Sequence, residues 1–367
     1  MRTIKLLIAL FVLMSGSAFS QSTSDTAAAP MPSTDTATAA QAPAKFNPTD
    51  VIMHHIKDAH SWHLFDRTNK QTGELQPVAV PLPIILYSDG HLDIFMSSAF
   101  CDGKKPVSCD NRTYVLHHEK IYLTDNGQLA YNEAGDIISP KPLDFSITKN
   151  VAALIFSALL LLFIFIKMAN GYKKNGPVPT GLRGFLEPVV LFIKDDVAIP
   201  NLGEDHYRKY LPYLLTVFFF IWINNMLGLI PMAANLTGNI AVTFVLAFFT
   251  LLITNFSGAK HYWIEKVRTP GVPIVLQPIM TIVELIGIFT KPFALMIRLF
   301  ANISAGHIIV LSLVSLIFIF QTILISPVSI IFVLFMDVLE LLVAALQAYI
   351  FTMLTALFIG LAIKEEE

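Results

Sequence analysis

Apolar residues gather along this chain in runs of two kinds. Beyond residue 149 the runs are long. Residues 151–168, 211–231 and 240–256 each come close to the roughly 20 residues that carry a helix across a hydrocarbon core. Two further runs, 274–320 and 328–363, are about twice that, with only residues 321–327 between them. At 1.5 Å per residue, about 40 residues make about 60 Å against a core of about 30 Å. Neither run has a polar turn at its middle, so each is expected to be one steeply tilted helix, with the short link folding the two into an antiparallel hairpin. Mismatch alone gives tilts near 20°, so packing against a partner is needed to hold this geometry, and Pro292 is placed to kink the first helix. The expectation is an all-α polytopic membrane protein over residues 149–367. It has five membrane helices, the last two long, tilted and hairpinned.

Before residue 149 the pattern changes. Residues 78–87 and 91–95 flank Ser88-Asp89-Gly90, and residues 121–124 and 128–131 flank Asp125-Asn126-Gly127. Short apolar stretches around such turns predict two hairpins, hence a small β-rich domain over residues 46–148. Residues 21–45 are rich in Ala, Ser, Thr and Pro, the composition of a disordered linker. Residues 1–20 carry Arg2 and Lys5, an apolar stretch over 6–14, and Ala18-Phe19-Ser20 as a small-residue cleavage site. That is the pattern of a secretory signal peptide. The apolar stretch is too short for a first membrane anchor. A signal there would export the β-rich domain.

Composition agrees with the bilayer as solvent. Charged residues make up 14% of the chain, against about 25% in soluble domains, and mean hydropathy is +0.62. The net charge of −2 shows no basic bias toward nucleic acid. The basic residues set the orientation. Lys167 at the end of the first run, then Lys173, Lys174, Arg183, Lys194, Arg208 and Lys209, precede the second run, and Lys260, Lys266 and Arg268 follow the third. The connections 232–239 and 321–327 contain no Lys or Arg. The positive-inside rule then places the N-terminus outside and the C-terminus in the cytoplasm. Cys101 and Cys109, the two cysteines, fall in the exported segment, where a disulfide between them and two free thiols both stand as readings. His54, His55, His60 and His63, with Asp58 and Trp62 among them, fit no tight metal-ligand spacing; an amphipathic helix near the membrane surface is the favoured reading, and no metal site is expected.

The long runs hold few polar residues, and these are ordered. Glu284, Lys291 and Arg298 recur every seven residues, which keeps each within about 20° of the next on a helix. Asn302 is one turn beyond Arg298 on nearly the same face, and His307 lies on the opposite side. The last run carries Asp337, Glu340 and Gln347. A hairpin turning near Leu324 sets Arg298 level with residues 347–350 and His307 level with residues 340–342. Gln347 can then approach Arg298, and Glu340 can approach His307. No acid stands at the depth of Arg298 on the partner helix. A charge at the bilayer centre costs at least about 2.5 kcal/mol, so such a residue marks an ion path or awaits a partner. Glu284 has two readings, a marker of a path on the cytoplasmic side or a surface pair with Lys364.

These residues carry a resemblance. Ile297-Arg298-Leu299-Phe300-Ala301-Asn302 followed by Ala305-Gly306, and Leu346-Gln347-Ala348-Tyr349-Ile350-Phe351, resemble the signature segments of subunit a of F-type ATP synthases. Asn225-Met226-Leu227-Gly228-Leu229-Ile230-Pro231, Thr237-Gly238-Asn239-Ile240 and Lys291-Pro292 fit the same family, so the resemblance spans residues 211–363. It implies that Arg298 faces a rotating ring of c subunits with Asn302 and Gln347 as polar neighbours, and that His307 and Glu340 line an outer half-channel. Many bacterial relatives carry the acid on the first long helix and the histidine on the second; here they are exchanged. Ala301 stands where many relatives have Gly. The resemblance further implies the c-ring, the b-subunit peripheral stalk and the remaining ATP synthase subunits as partners, and the bacterial inner membrane as location. It implies no cofactor and no catalysis by this chain alone, and no Gly-x-x-x-x-Gly-Lys-Ser/Thr phosphate loop occurs in the sequence. The resemblance leaves the long N-terminal part unexplained. Rival readings are an ion-coupled secondary transporter, for which no internal repeat is visible, and a membrane scaffold for the exported domain.

Overall fold

The computed structural model describes residues 58–68, 75–88, 90–100, 105–109, 112–124, 126–132, 137–175, 181–230, 234–267, 273, 275–320 and 325–363. The signal-peptide and linker segments, His54, His55, Cys101 and Lys364 lie outside them.

The N-terminal region is built of short antiparallel strands in three small sheets. β1 (Ser61–Thr68) pairs with β2 (Leu75–Pro81). β3 (Pro83–Ser88) lies between β4 (His91–Met96) and β8 (Leu143–Asp144), and β6 (Arg112–His117) lies between β5 (Val107–Cys109) and β7 (Lys120–Thr124). The β3–β4 hairpin turns at the Ser88-Asp89-Gly90 segment, as the sequence predicts. The second expected hairpin is corrected. β7 pairs backward with β6 through His118 and Glu119, both at positive φ (48° and 62°). A two-residue turn of that hand matches strand twist, and Tyr131 forms only an isolated bridge to Ile137. His63 sits on β1, so the expected helix around it is a strand. Residues 78–87 are likewise two strands, broken at Leu82, which is flanked by Pro81 and Pro83.

Ile84, Leu86, Phe100, Tyr114 and Ile121 make the core of this region. The buried Asp93 carboxylate is matched by donors: the Tyr114 hydroxyl at 2.6 Å and Arg112 Nη2 at 3.1 Å. Burial and the Asp93 charge push the Tyr114 hydroxyl up to about 12, so it remains a donor.

The region is stapled to the first helix, α1 (Lys149–Asn175). Lys149 N donates to Ala59 O at 2.9 Å, and Asn150 N donates to Asp58 Oδ1 at 3.1 Å. His60 Nε2 is 2.8 Å from Asp144 Oδ2.

Five helical stretches among the described residues are long and apolar enough to cross a membrane. After α1, α2 (Leu182–Phe192) runs through a π-helical turn (Ile193–Ala198) into α3 (Ile199–Gly228). This helix starts well before the apolar run at 211–231, because Leu202 and Tyr210 bury a face while their charged neighbours stay exposed. It breaks at Gly203, where φ is 78°. α4 (Ile240–Ser257) follows, its first turn capped by the Asn239 side chain accepting from Ala241 N at 2.9 Å. A short α5 (Lys260–Val267) leads to the two long helices α6 (Gln277–Phe320) and α7 (Ile325–Ile363).

The helical core gathers around α3, with Leu214, Phe219 and Ile221 packing against Leu295 and Leu299 of α6 and Phe351, Ala356 and Ile359 of α7. Gly360 permits the closest approach: a β-carbon there would strike the Asn201 carbonyl at the α3 break. Coverage is uneven. Half of the most apolar window of the α2–α3 stretch is buried, but only 11% of the corresponding windows of α6 and α7. The last two helices therefore present most of their apolar surface outward.

Candidate functional site

Three contacts fix the α6–α7 hairpin. Ser329 Oγ donates to Leu313 O at 2.6 Å, the Glu340 side chain lies against Gly306, and Asn302 Nδ2 donates to Gln347 Oε1 at 3.0 Å. They climb the two helices in antiparallel order. Gly306 has a specific part in this: any β-carbon there would collide with the Glu340 carboxyl.

The polar residues sort along this ladder. Gln347 is 2% exposed and meets Asn302, not Arg298, because Arg298 lies one turn further along α6. Its Nε2 has no hydrogen-bond partner among the described residues. His307 and Glu340, expected at matched depth, line one small cavity of about 20 Å³ together with Asn225, Asn235 and Asn302. That is room for about one water. Glu340 Oε1 and Asn225 Oδ1 are also buried without a hydrogen-bond partner among the described residues. Buried polar atoms are normally satisfied, so this layer suits a hydrated path. Asp337 is exposed, one helical turn from Glu340.

Arg298 is exposed on α6, and no hydrogen bond or ion pair engages it among the described residues. Its flanks Leu295, Met296 and Leu299 are buried, so the helix face is fixed while the guanidinium points outward.

A second cavity, of about 160 Å³, lies on the other side of Arg298 along α6. Thr254, Asn255, Tyr262, Lys266, Lys291 and Phe358 are among its lining residues. Lys291 lies 5.6 Å from the centre of the Phe358 ring. Glu284 forms an ion pair with Lys266 of α5. Lys364, expected in one reading as its surface partner, lies outside the described residues. Thr281 Oγ1 donates to Val267 O at 2.7 Å and holds α5 beside α6.

Sequence reasoning missed Asn225 and Lys266. Asn225 is 1% exposed and donates to Ala344 O at 3.1 Å, so it ties α3 to α7 beside the first cavity. Its signal was available, as an amide in an apolar helix is costly and therefore informative. Lys266 counted only as a loop charge, and its pairing depends on the path of α5, which periodicity does not reveal. Of the cysteine pair, only Cys109, on β5, is among the described residues.

Comparison with known proteins follows the same division of the chain. A family described as ATP synthase A chain matches residues 151–360, and a domain of unknown function matches residues 51–145. The chain is 44% identical to ATP synthase subunit a of Chloroherpeton thalassium over 262 residues, covering 69% of this chain and 77% of that protein. It is 43% identical to ATP synthase subunit a 2 of Chlorobaculum tepidum over 293 residues, covering 77% of this chain and 80% of that protein. The likeness to the latter extends beyond the helices into the N-terminal region. ATP synthase subunit a of Anaeromyxobacter dehalogenans is 39% identical over 260 residues, 67% of either chain.

Proposed function

The chain belongs to the ATP synthase A chain family, and from that premise we propose how its helices carry protons past a moving partner. It is the stationary proton-translocating subunit of a rotary ATP synthase and is not catalytic on its own. In the proposed arrangement, two offset half-channels serve carboxylates on a c-subunit ring that slides along the open faces of α6 and α7. A b-subunit stalk holds the chain still. The N-terminal region is extracytoplasmic and the C-terminus cytoplasmic.

One observation carries this reading. Arg298 is exposed on a thinly covered helix and unpaired among the described residues, and a cavity lined in part by polar side chains lies on each side of it along α6. His307 and Glu340 line one cavity, and Lys291 and Lys266 the other. Protons enter past His307 and Glu340 and neutralise a ring carboxylate, which can then enter lipid. After nearly a full turn the carboxylate releases its proton toward the second cavity, near Glu284. Asn302, Gln347 and Asn225 supply the hydrogen bonds of the entry layer, and Asp337 stands beside it. Arg298 cannot relay a proton, because an arginine guanidinium keeps its charge in proteins and offers no acceptor. Its fixed charge favours the ionised ring carboxylate and so keeps the two paths apart. Each proton crossing supplies about 2.3 kcal/mol per 100 mV of potential.

The test is Arg298→Ala in the whole complex reconstituted in vesicles. Loss of ATP-driven acidification, with the complex still assembled, is expected. Pumping at the normal rate would falsify the barrier role.

A further inference from the structure

The N-terminal sheet β4-β3-β8 carries apolar side chains on both faces. Ile84 and Leu86 point into the core and are fully buried. The other face carries Tyr87 of β3, Leu92, Ile94 and Met96 of β4, Leu143 of β8, and Phe145 just after it. All six are exposed, Ile94 to 63%. Cross-strand pairing sets them in rows: Tyr87 opposes both Leu92 and Leu143, and Phe145 N bonds to Ile85 O beside the Ile85–Ile94 pair. Side chains directly opposite on neighbouring strands share a face, so the six form one patch across three strands, and among the described residues of these strands none on that face is charged. A contiguous apolar surface of this kind marks an interaction site.

Its place in the fold identifies the occupant. Phe145 is four residues before Lys149, where α1 and its membrane span begin. Four residues reach at most about 14 Å. The link is not a loose tether. Ile147 N bonds to Pro83 O, Ile85 N bonds to Ser146 Oγ, and Asp58 holds the first turn of α1. The sheet is therefore locked close to the bilayer boundary at which α1 enters. Tyr and Phe at that height suit the interfacial zone, where amphipathic surfaces settle about 5–10 Å into the headgroup and acyl boundary.

We propose that this face of β4-β3-β8 docks on the lipid surface of the same membrane that α1 crosses, so that the N-terminal region is a monotopic attachment and not a freely projecting domain. The proposal gives the region matched by a domain of unknown function a role that does not depend on how the helices move protons.

The experiment is Ile94→p-benzoylphenylalanine in the whole complex, reconstituted in vesicles of phosphatidylcholine and phosphatidylglycerol and then illuminated. A covalent phospholipid adduct at position 94 is expected. The same replacement at His91, exposed on the same strand but on the opposite face, should give none. An adduct from position 94 to any protein segment, whether a second copy or another subunit, overturns the proposal, and so does the absence of any adduct. Because the side chain at 94 is exposed, the replacement leaves the core intact. Amide exchange over residues 91–96 provides a second readout. It should be slower in vesicles than in lipid-free detergent, and equal rates would count against docking.

Discussion

At the scale of single residues, the layer proposed as the proton entry depends on an exchange of space. Gly306 has no side chain where Glu340 comes closest, so a carboxyl group can lie against α6 backbone. Gly306→Val should displace the Glu340 carboxyl and lower proton pumping strongly without preventing assembly. The check is ATP-driven acidification set against the amount of assembled complex. His307 and Glu340 share a cavity with opposite acid–base characters, and chemistry of this kind does not depend on which helix carries which group. Single replacement of either should depress pumping. The double variant with His307→Glu and Glu340→His should recover part of it. No recovery, with both singles impaired, would mean that the two residues act separately.

At the scale of elements, the junction between β8 and α1 responds to pH. Burial works against a charged His60, but the hydrogen bond and charge of Asp144, with the charges of Glu119 and Asp58, raise it above its ordinary value. Burial would raise Asp144, and the His60 contacts outweigh that and lower it. The His60 contribution is therefore complete below about pH 6.5 and fades as pH rises through its elevated folded value. The Asp144 contribution is present above about pH 3.9 and is lost only as pH falls through its lowered value. Amide protection at residues 58–60 and 143–150, taken relative to the intrinsic exchange rate at each pH, should be greater at about pH 5.5 than at about pH 8.5, and His60→Gln should remove the difference. At the opposite end of the membrane region, Gly360→Ala forces α7 away from the Asn201 carbonyl. Overpacking of this kind costs about 1–3 kcal/mol, and should appear as faster thermal inactivation.

Much of this architecture was legible in the pattern of apolar runs. The five membrane helices and the α6–α7 pairing follow from run length and from the lack of an interior turn. The matched depth of His307 and Glu340 follows from the antiparallel arrangement. What escaped was set by tertiary context. The charged stretch before residue 211 reads as a loop, yet it is helical because buried Leu202 and Tyr210 anchor it. The β6–β7 turn uses His118 and Glu119, residues with no strong turn signature. Asp125-Asn126-Gly127 looked like a hairpin turn, but the chain beyond it pairs elsewhere. The Lys266–Glu284 pair needed the fold of α5, because nothing in the spacing of those residues brings them together.

At the scale of the whole molecule, protection is lopsided. α3 is the buried pillar, and α6 and α7 turn long apolar faces outward, with Arg298 on one of them. In lipid alone, a guanidinium at that depth costs at least about 2.5 kcal/mol. The cost falls when a carboxylate-bearing surface covers it. The finished fold of this chain is thus an unfinished surface, and that bears on biogenesis. In the proposed arrangement, a copy inserted before its ring exists carries an exposed charge in hydrocarbon, which disfavours the orphaned chain. Pulse-chase labelling should show a shorter lifetime for the chain when the ring subunit is depleted, and Arg298→Leu should restore part of that lifetime while abolishing coupling. The side chain proposed to keep two proton paths apart in the working machine would also act, during assembly, as a tag for the orphaned subunit.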